Sequence, residues 1–319
     1  MRLKLVPEKT NVPFMGLRKF AFVLSGALGV LSVVFLIIFG LNFGIDFRGG
    51  ILIEVKTPGP ANLATMRSAL SRVGLGEVAL QEFGSEDDVL IRIERQEGDS
   101  KAQERAVGVV KETLADAIGP GISYRRVEVV GPKVSAELVR AGAMALLLAL
   151  VAMLVYVAFR FEWKFSIGAV AALTHDVVLT FGFFAVTGLE FNLSIVAAIL
   201  TIVGYSMNDT VVVYDRVREN LRKYKKMELS DLLDLSVNQT LARTTMTSLT
   251  TLLALIALEE FGGAVIAGFT MAMIWGVVIG TYSSVFVASP ILLLLGIRRG
   301  TEEEEEEDPG KTEEAAEQT

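Results

Sequence analysis

Four ionisable side chains lie inside long apolar stretches of this 319-residue chain: His175, Asp176, Asp209 and Arg243. A charge in the hydrocarbon of a membrane is costly, so such residues usually face the interior of a helix bundle or an aqueous cavity and serve a function. An arginine close to a carboxylate favours its ionised form, and withdrawal into drier surroundings favours the protonated form. The sequence therefore predicts a proton or ion relay built on Asp209 and Arg243 and coupled to helix movement.

Hydroxyl side chains recur at helical spacing on the faces that carry the two predicted relay residues. Thr201 and Tyr205 precede Asp209, whereas Thr247 and Thr251 follow Arg243. Two polar stripes on adjacent antiparallel helices predict a hydrated seam through which protons travel. We expect Tyr205, Asn208 and Thr247 to support the relay.

Other interpretations of these residues stay open. A static pair of Asp209 and Arg243 would only hold two helices together, and Arg243 could instead extend unpaired to the membrane surface. Sodium could replace the proton, because a carboxylate with nearby hydroxyls serves either ion. His175 and Asp176 are further candidates for relay support. Because these two residues are adjacent, their side chains should point about 100° apart and not face one spot. The alternative to relay support is that they only bond to neighbouring spans.

Membrane-spanning helices must position these residues, and each needs about 20 mainly apolar residues. The chain predicts a polytopic α-helical membrane protein with six spans. The first span covers residues 20–43 within an uncharged run to residue 45. The apolar runs of the others are residues 141–159, 165–189, 191–214, 241–258 and 261–297. In the last run we expect a helix over 264–289 that Pro290 breaks, with residues 291–297 near the interface.

The basic residues near the ends of the spans all fall on one side of the predicted membrane. They are Arg2, Lys4, Lys9, Arg18, Lys19, Arg160, Lys164, a cluster within residues 216–226, Arg298 and Arg299. The opposite short loops hold only Glu190, Glu259 and Glu260. Basic loops stay in the cytoplasm, so both termini, including residues 1–19, are predicted to be cytoplasmic. Residues 215–236 are predicted to form a cytoplasmic helix whose basic cluster contacts anionic membrane lipid, with a protein partner as the alternative.

Residues 44–133, between the first two spans, are predicted to form one extracytoplasmic domain. The pattern indicates strands at 51–57, 77–83, 89–95 and 122–130, helices at 61–73 and 101–118, and a hairpin turn at 84–88. The order βαββαβ fits a ferredoxin-like α+β sandwich. The balanced charge of this domain does not suggest a nucleic-acid partner.

Composition excludes several classes of function. The chain is 52% hydrophobic and has no cysteine and one histidine, which excludes a disulfide-stapled domain, a cysteine-ligated metal and a two-histidine zinc site within the chain. It contains no GxxxxGK[ST] motif for nucleotide binding. We therefore expect no enzyme activity and no cofactor, with work driven by an ion gradient or by another subunit. The glutamate-rich residues 298–319 are predicted to be a disordered cytoplasmic tail.

Four motifs give the chain a family resemblance over about residues 15–297. GIDFRGG at 44–50 is similar to the motif that follows the first span in the SecD/SecF protein-export family. The segments 174–176, 204–220 and 238–244 resemble the third, fourth and fifth spans of the SecF branch. Length, six spans and a single outer domain match SecF rather than SecD, whose outer region is larger.

The resemblance implies a fold, partners and a location. SecF is similar to half of an RND-type transporter and pairs with SecD in a twelve-span unit of the bacterial inner membrane. That unit associates with the SecYEG channel, often with YajC, and acts after the SecA ATPase. It uses the proton-motive force to pull unfolded secretory polypeptides out on the periplasmic side. The family's essential Asp and Arg correspond to Asp209 and Arg243, and a second intramembrane Asp is expected on SecD.

Two other functions stay open. The chain could be a scaffold that stabilises SecD or SecYEG without using energy. It could also be an RND-like exporter of small molecules or lipids, for which one outer domain of about 90 residues is small.

Overall fold

The structure, a computed structural model, describes residues 10–96, 98 and 100–297. The predicted acidic tail at 298–319 and the basic residues within 1–9 and at 298–299 lie outside the described residues.

The elements follow one another in chain order. They are α1 (Arg18–Ile38), β1 (Asn42–Phe43), α2 (Ile45–Arg48), β2 (Gly50–Lys56), α3 (Leu63–Leu70), β3 (Val78–Phe83), β4 (Ser85–Ile93), α4 (Ser100–Ile118), β5 (Ser123–Val130), α5 (Pro132–Arg160), α6 (Trp163–Thr187), β6 (Glu190–Phe191), α7 (Leu193–Lys223), α8 (Leu229–Phe261), α9 (Ala264–Ser283) and α10 (Ser289–Leu295).

Within the described residues, six helical stretches are long and apolar enough to cross a membrane, as predicted. Helices α6, α7 and α9 form the interior of the bundle, whereas α1, α5 and α8 lie around it with most of their surface exposed. Small residues allow close contact between helices. Gly182 of α6 faces Ser32 of α1, and Gly280 of α9 faces Ser206 of α7.

The last span continues through Pro290, so the predicted break there is wrong. A π-helical turn, Ser284–Ala288, joins α9 to α10. A proline lacks the backbone N–H and its ring clashes with the carbonyl one turn earlier, and a wider π turn just before it relieves both constraints. The Ser289 hydroxyl donates to the Ser284 carbonyl at 3.0 Å, across this same turn.

The residues between α1 and α5 form the predicted ferredoxin-like domain. Its antiparallel sheet has the order β3-β4-β2-β5. Alternate residues of β2 and β4 pack with α3 and α4 in one core: Ile51, Ile53, Val55, Val89, Ile91, Ile93, Met66, Leu70, Val110 and Leu114. The hairpin is tighter than predicted, because Gly84 adopts a φ of 86° and lets β4 begin at Ser85.

The predicted separate helix over residues 215–236 is also wrong. Helix α7 continues to Lys223, Tyr224 leaves helical geometry with φ −112° and ψ 71°, and α8 begins at Leu229. Two side-chain bonds close this helical hairpin, because the Asn220 amide donates to Ser236 and to Gln239, each at 2.9 Å. Basic residues in the last turn of α7 suit the negative end of its dipole.

Candidate functional site

Asp209 lies in the middle of the bundle on α7. The residue is only 2% exposed, and its Oδ2 atom has no hydrogen-bond partner among the described residues. The hydroxyl of Thr244 on α8 is likewise buried and unpartnered. A buried carboxylate oxygen is costly when it is unpaired, so this position suits a carboxyl group that takes up and releases a cation.

Arg243 lies on α8, the helix that follows α7 in the hairpin. Its charge acts on Asp209 through space, but no ion pair joins the two side chains within the part of the chain described. Arg243 is exposed on the outer face of α8. The arrangement is therefore a positive charge held near a buried carboxylate without neutralising it by contact.

A chain of hydroxyls crosses the bundle beside Asp209. Tyr205 of α7 donates to Ser248 of α8 over 3.5 Å, and Ser248 bonds Thr281 of α9 at 2.6 Å. Thr247 instead donates to the carbonyl of Thr244 in its own helix. Of the predicted supporting residues, Tyr205 joins this chain, Thr247 lies next to it, and Asn208 is exposed.

Asp176 is the centre of a second polar cluster, which binds three helices together. The carboxylate is 1% exposed and accepts hydrogen bonds from Ser206 of α7 at 2.6 Å and from Ser283 of α9 at 2.7 Å. Its other oxygen lies 3.0 Å from the Nδ1 atom of His175. The prediction that His175 and Asp176 cannot face one spot is wrong, because the His175 ring contacts the Asp176 carboxylate directly.

Sequence reasoning missed Ser206 and Ser283. Ser206 stands three residues before Asp209, so the two clusters are one turn apart on α7. Ser283 begins a run of fully buried serines, with Ser284 and Ser289, in an otherwise apolar span. This run of hydroxyls is the one sequence feature that marks Ser283, and it does not identify Asp176 as the partner.

The segment after α1 determines where α7 begins. The Asp46 carboxylate accepts the backbone N–H of Leu193 at 2.8 Å, and the Asn192 side chain accepts that of Ile195 at 3.3 Å. Both contacts satisfy donors at the N-terminus of the helix. The strands β1 and β6 pair in parallel directly before these caps. The GIDFRGG segment thus holds the end of the helix that carries Asp209.

The same segment joins the α/β domain to the membrane helices. Arg92 of β4 forms an ion pair with Glu190 of β6 and donates to Asn42 of β1 at 3.3 Å. Gly50 begins β2 with a φ of 126°, and a Cβ atom there would lie 2.5 Å from the carbonyl of Ile93. Only glycine fits this close approach of β2 to β4 without strain.

No group of three or more His, Asp or Glu side chains arranged to hold a metal occurs in the residues that the structure describes.

Comparison with known proteins gives consistent matches. The model of "Protein export membrane protein SecD/SecF, C-terminal" matches residues 109–298, and that of "SecD/SecF GG Motif" matches residues 34–57. "Protein translocase subunit SecF" of Rickettsia typhi is 46% identical over 299 residues, which cover 93% of this chain and 96% of the relative. The Rickettsia prowazekii protein of the same name is 45% identical over 299 residues, with 93% and 95% covered.

Two solved structures are similar to this chain. The crystal structure of SecDF, a translocon-associated membrane protein from Thermus thermophilus, has a TM-score of 0.81 and 34% identity, and the match covers 93% of this chain and 40% of that one. SecDF in its super-membrane-facing form has a TM-score of 0.67 at 34% identity, covering 95% and 41%. The chain therefore spans about 40% of the length of the solved SecDF chain. Both solved structures are 34% identical to this chain, but the first has the higher TM-score and is therefore more similar to it in conformation.

Proposed function

Because the chain belongs to the SecD/SecF family of protein-export membrane proteins, we propose that it is a translocase subunit that uses a proton gradient to drive late translocation of secretory polypeptides. The observation that carries this proposal is the buried Asp209 carboxylate, which has an unpartnered oxygen and a positive charge nearby. Protonation removes the cost of that unpaired charge, and ionisation restores it. The protonation state therefore changes which packing of α7 against α8 is favoured.

The separation of Asp209 from Arg243 supports a switch over a static pair. A buried ion pair that serves only to hold two helices needs close contact, because contact alone offsets the desolvation of both charges. Here Arg243 lies on an exposed face of an apolar helix. A proton on Asp209 weakens the attraction between the two residues, and its loss strengthens it.

Asp176 is proposed to position the helices rather than to carry the proton. Its carboxylate receives hydrogen bonds from Ser206 and Ser283 and a contact from His175, so both of its oxygens have partners. An asparagine retains an acceptor for the serines. We expect Asp176→Asn to keep gradient-driven export, unlike the same change at Asp209. Equal loss of export in both variants would place Asp176 in the relay.

A second subunit is proposed to cover the exposed polar side chains of the spans. Asn208 and Arg243 are exposed on α7 and α8, where lipid would be a poor solvent for them. The solved SecDF chain is more than twice as long as the match. We propose that SecD supplies the other half and its own intramembrane carboxylate. The assembly would act with SecYEG and YajC after SecA, on unfolded secretory chains.

The charge distribution supports a multi-pass protein of the bacterial inner membrane with its α/β domain in the periplasm. Arg160 and the basic residues around the α7–α8 hairpin lie at one end of the bundle, and the α/β domain lies at the other. The positive-inside rule then makes the basic end cytoplasmic.

Movement of α7 is proposed to reach the α/β domain through its N-terminal end. Asp46 caps α7 and is four residues from β2, a central strand of the sheet. Glu190 is three residues before α7 and pairs with Arg92 of β4. Two central strands therefore follow the position of the helix, which makes the domain a lever on the exported chain.

Export and complex abundance in cells test the proposal. We expect Asp209→Asn to abolish gradient-dependent export while leaving complex abundance unchanged, because the amide has a similar shape and cannot be ionised. Asp231→Asn, at an exposed acid of α8, is the matched control and should export normally. A scaffold would instead lose export only in proportion to lost complex, and normal export by Asp209→Asn would refute the relay.

A further inference from the structure

An open pocket of about 520 Å³ lies at the basic end of the bundle, between the end of α5 and the last turns of α7. Its lining residues are Arg160, Asp215, Arg218, Glu219, Arg222 and Lys223. The relay and the lever use none of these side chains. Four of the six are cationic, so the pocket has an excess of positive charge.

Both carboxylates of the pocket already have cationic partners. Arg160 pairs with Asp215 at 2.8 Å, and Arg216, outside the lining, pairs with Glu219 at 2.8 Å. Among the described residues, Arg218 donates only to the carbonyl of Arg160, at 3.3 Å.

Two further cations are available in the last turn of α7. Lys223 forms no ion pair with a carboxylate among the described residues, and its ammonium lies 5.2 Å from the centroid of the Tyr224 ring. Arg222 has no hydrogen bond or ion pair to any described residue. With Arg218, three cations therefore line the pocket without a carboxylate partner in the part of the chain that the structure describes.

Exposed aromatic residues place this pocket at the level of the lipid headgroups. Phe159, beside Arg160 at the end of α5, is 89% exposed, and Trp163, at the start of α6, is 63% exposed. An amphipathic Trp ring at the end of a span marks the boundary between hydrocarbon and headgroups, whereas an exposed Phe belongs on the hydrocarbon side of it. The ammonium of Lys164 lies 5.9 Å from the Trp163 ring, as expected for a cation at that boundary.

We propose that this pocket binds the phosphate headgroup of an anionic phospholipid. Phosphate matches the forked donors of arginine, and basic pockets between helices on the cytoplasmic side bind such headgroups. In the proposed orientation the pocket lies in the cytoplasmic leaflet. A bound lipid would lie against the α7–α8 hairpin, whose two helices carry Asp209 and Arg243. The headgroup site itself rests on the pocket and not on the relay.

Native mass spectrometry of the purified full chain tests the site directly. The detergent-solubilised protein is titrated with phosphatidylglycerol, and separately with phosphatidylcholine, and the retained lipid is counted. Two double variants remove the same charge: Arg222→Gln/Lys223→Gln inside the pocket, and Lys225→Gln/Lys226→Gln in the turn beyond it. Thermal unfolding of both variants checks that they are folded.

The wild type and the Lys225→Gln/Lys226→Gln variant should retain phosphatidylglycerol. The pocket variant should bind it about thirtyfold more weakly, because each basic residue near an anionic lipid contributes about 1 kcal/mol and 1.4 kcal/mol is a factor of ten.

Equal retention by both variants would overturn the site, as would equal loss from both or equal binding of phosphatidylcholine by the wild type. Inorganic phosphate that displaces the lipid only at millimolar concentration supports a headgroup site. Tight binding of free phosphate alone overturns it. Export by the variants is a separate measurement, so failure of the proposed function leaves this test unaffected.

Discussion

Arg92 is expected to hold the α/β domain to the end of α7. It forms an ion pair with Glu190 and a hydrogen bond with Asn42, and both partners belong to the paired strands β1 and β6. In Arg92→Gln the Glu190 carboxylate remains in place without its partner. The perturbation therefore acts where the domain meets the membrane helices, far from the polar clusters of the bundle.

The magnitude follows from the burial of the two side chains. Arg92 is 20% exposed and Glu190 is 21% exposed. Exposed pairs contribute at most about 1 kcal/mol, whereas breaking a fully buried pair costs about 3–5 kcal/mol. This partly buried pair should lie between those limits, at about 2 kcal/mol. Local opening of the β1–β6 junction should then be about thirtyfold more frequent.

Hydrogen exchange of the full chain measures that opening directly. In Arg92→Gln we expect about thirtyfold faster exchange in residues 42–47 and 190–193, with unchanged exchange in the core of the α/β domain. Arg67→Gln, in the exposed part of α3, is the control. The charge reversal Arg92→Glu/Glu190→Arg should restore part of the protection. Unchanged exchange in Arg92→Gln, or equal loss throughout the sheet, would refute the reasoning.

Two other changes have expected outcomes. In Gly182→Ala, the new Cβ would lie 2.3 Å from the Cβ and 2.8 Å from the Cα of Ser32, so α1 must move away from α6, and the thermal stability of the purified chain should fall. Gly204→Ala is the matched control, because nothing lies within 4 Å of its added Cβ, and unaltered stability in both variants would contradict this packing. The ammonium of Lys56 lowers the pKa of Asp87 from 3.8 to about 2, with a smaller contribution from a bond to Ser85. Because the pKa of Asp87 is lower in the folded chain, its carboxylate stabilises the fold at high pH, and this contribution is lost as pH falls from about 4 to about 2. In Lys56→Met, carboxylate NMR should show the pKa of Asp87 move up towards 3.8. An unmoved titration would exclude Lys56 as the cause.

The sequence allowed the bundle and the α/β domain to be predicted because both are periodic. Long apolar runs mark the spans, and alternate apolar residues in β2 and β4 mark the face of the sheet that α3 and α4 cover. The ends of elements were harder to predict. Nothing local distinguishes the continuation of α7 to Lys223 from a separate helix, and the π turn before Pro290 depends on the packing of α9.

The candidate site was predictable only where a charge lies in an apolar run. Asp209 and Arg243 carry that signal, and so does Asp176. The serines that bind Asp176 do not, because serine is tolerated in any helix and its partner is decided by packing. The cap of α7 by Asp46 joins positions 147 residues apart, and no local pattern indicates such a contact.

Translocation driven by an imposed gradient tests the central claim most directly. A secretory precursor is stalled midway in inverted membrane vesicles, ATP is removed, and a proton gradient is applied to vesicles with equal amounts of complex. Wild-type vesicles should resume translocation, and vesicles with Asp209→Asn should not. A protonophore should abolish the wild-type response, and response to a sodium gradient alone would make sodium the coupling ion. If both kinds of vesicle resume equally, Asp209 has a structural role and the account is contradicted.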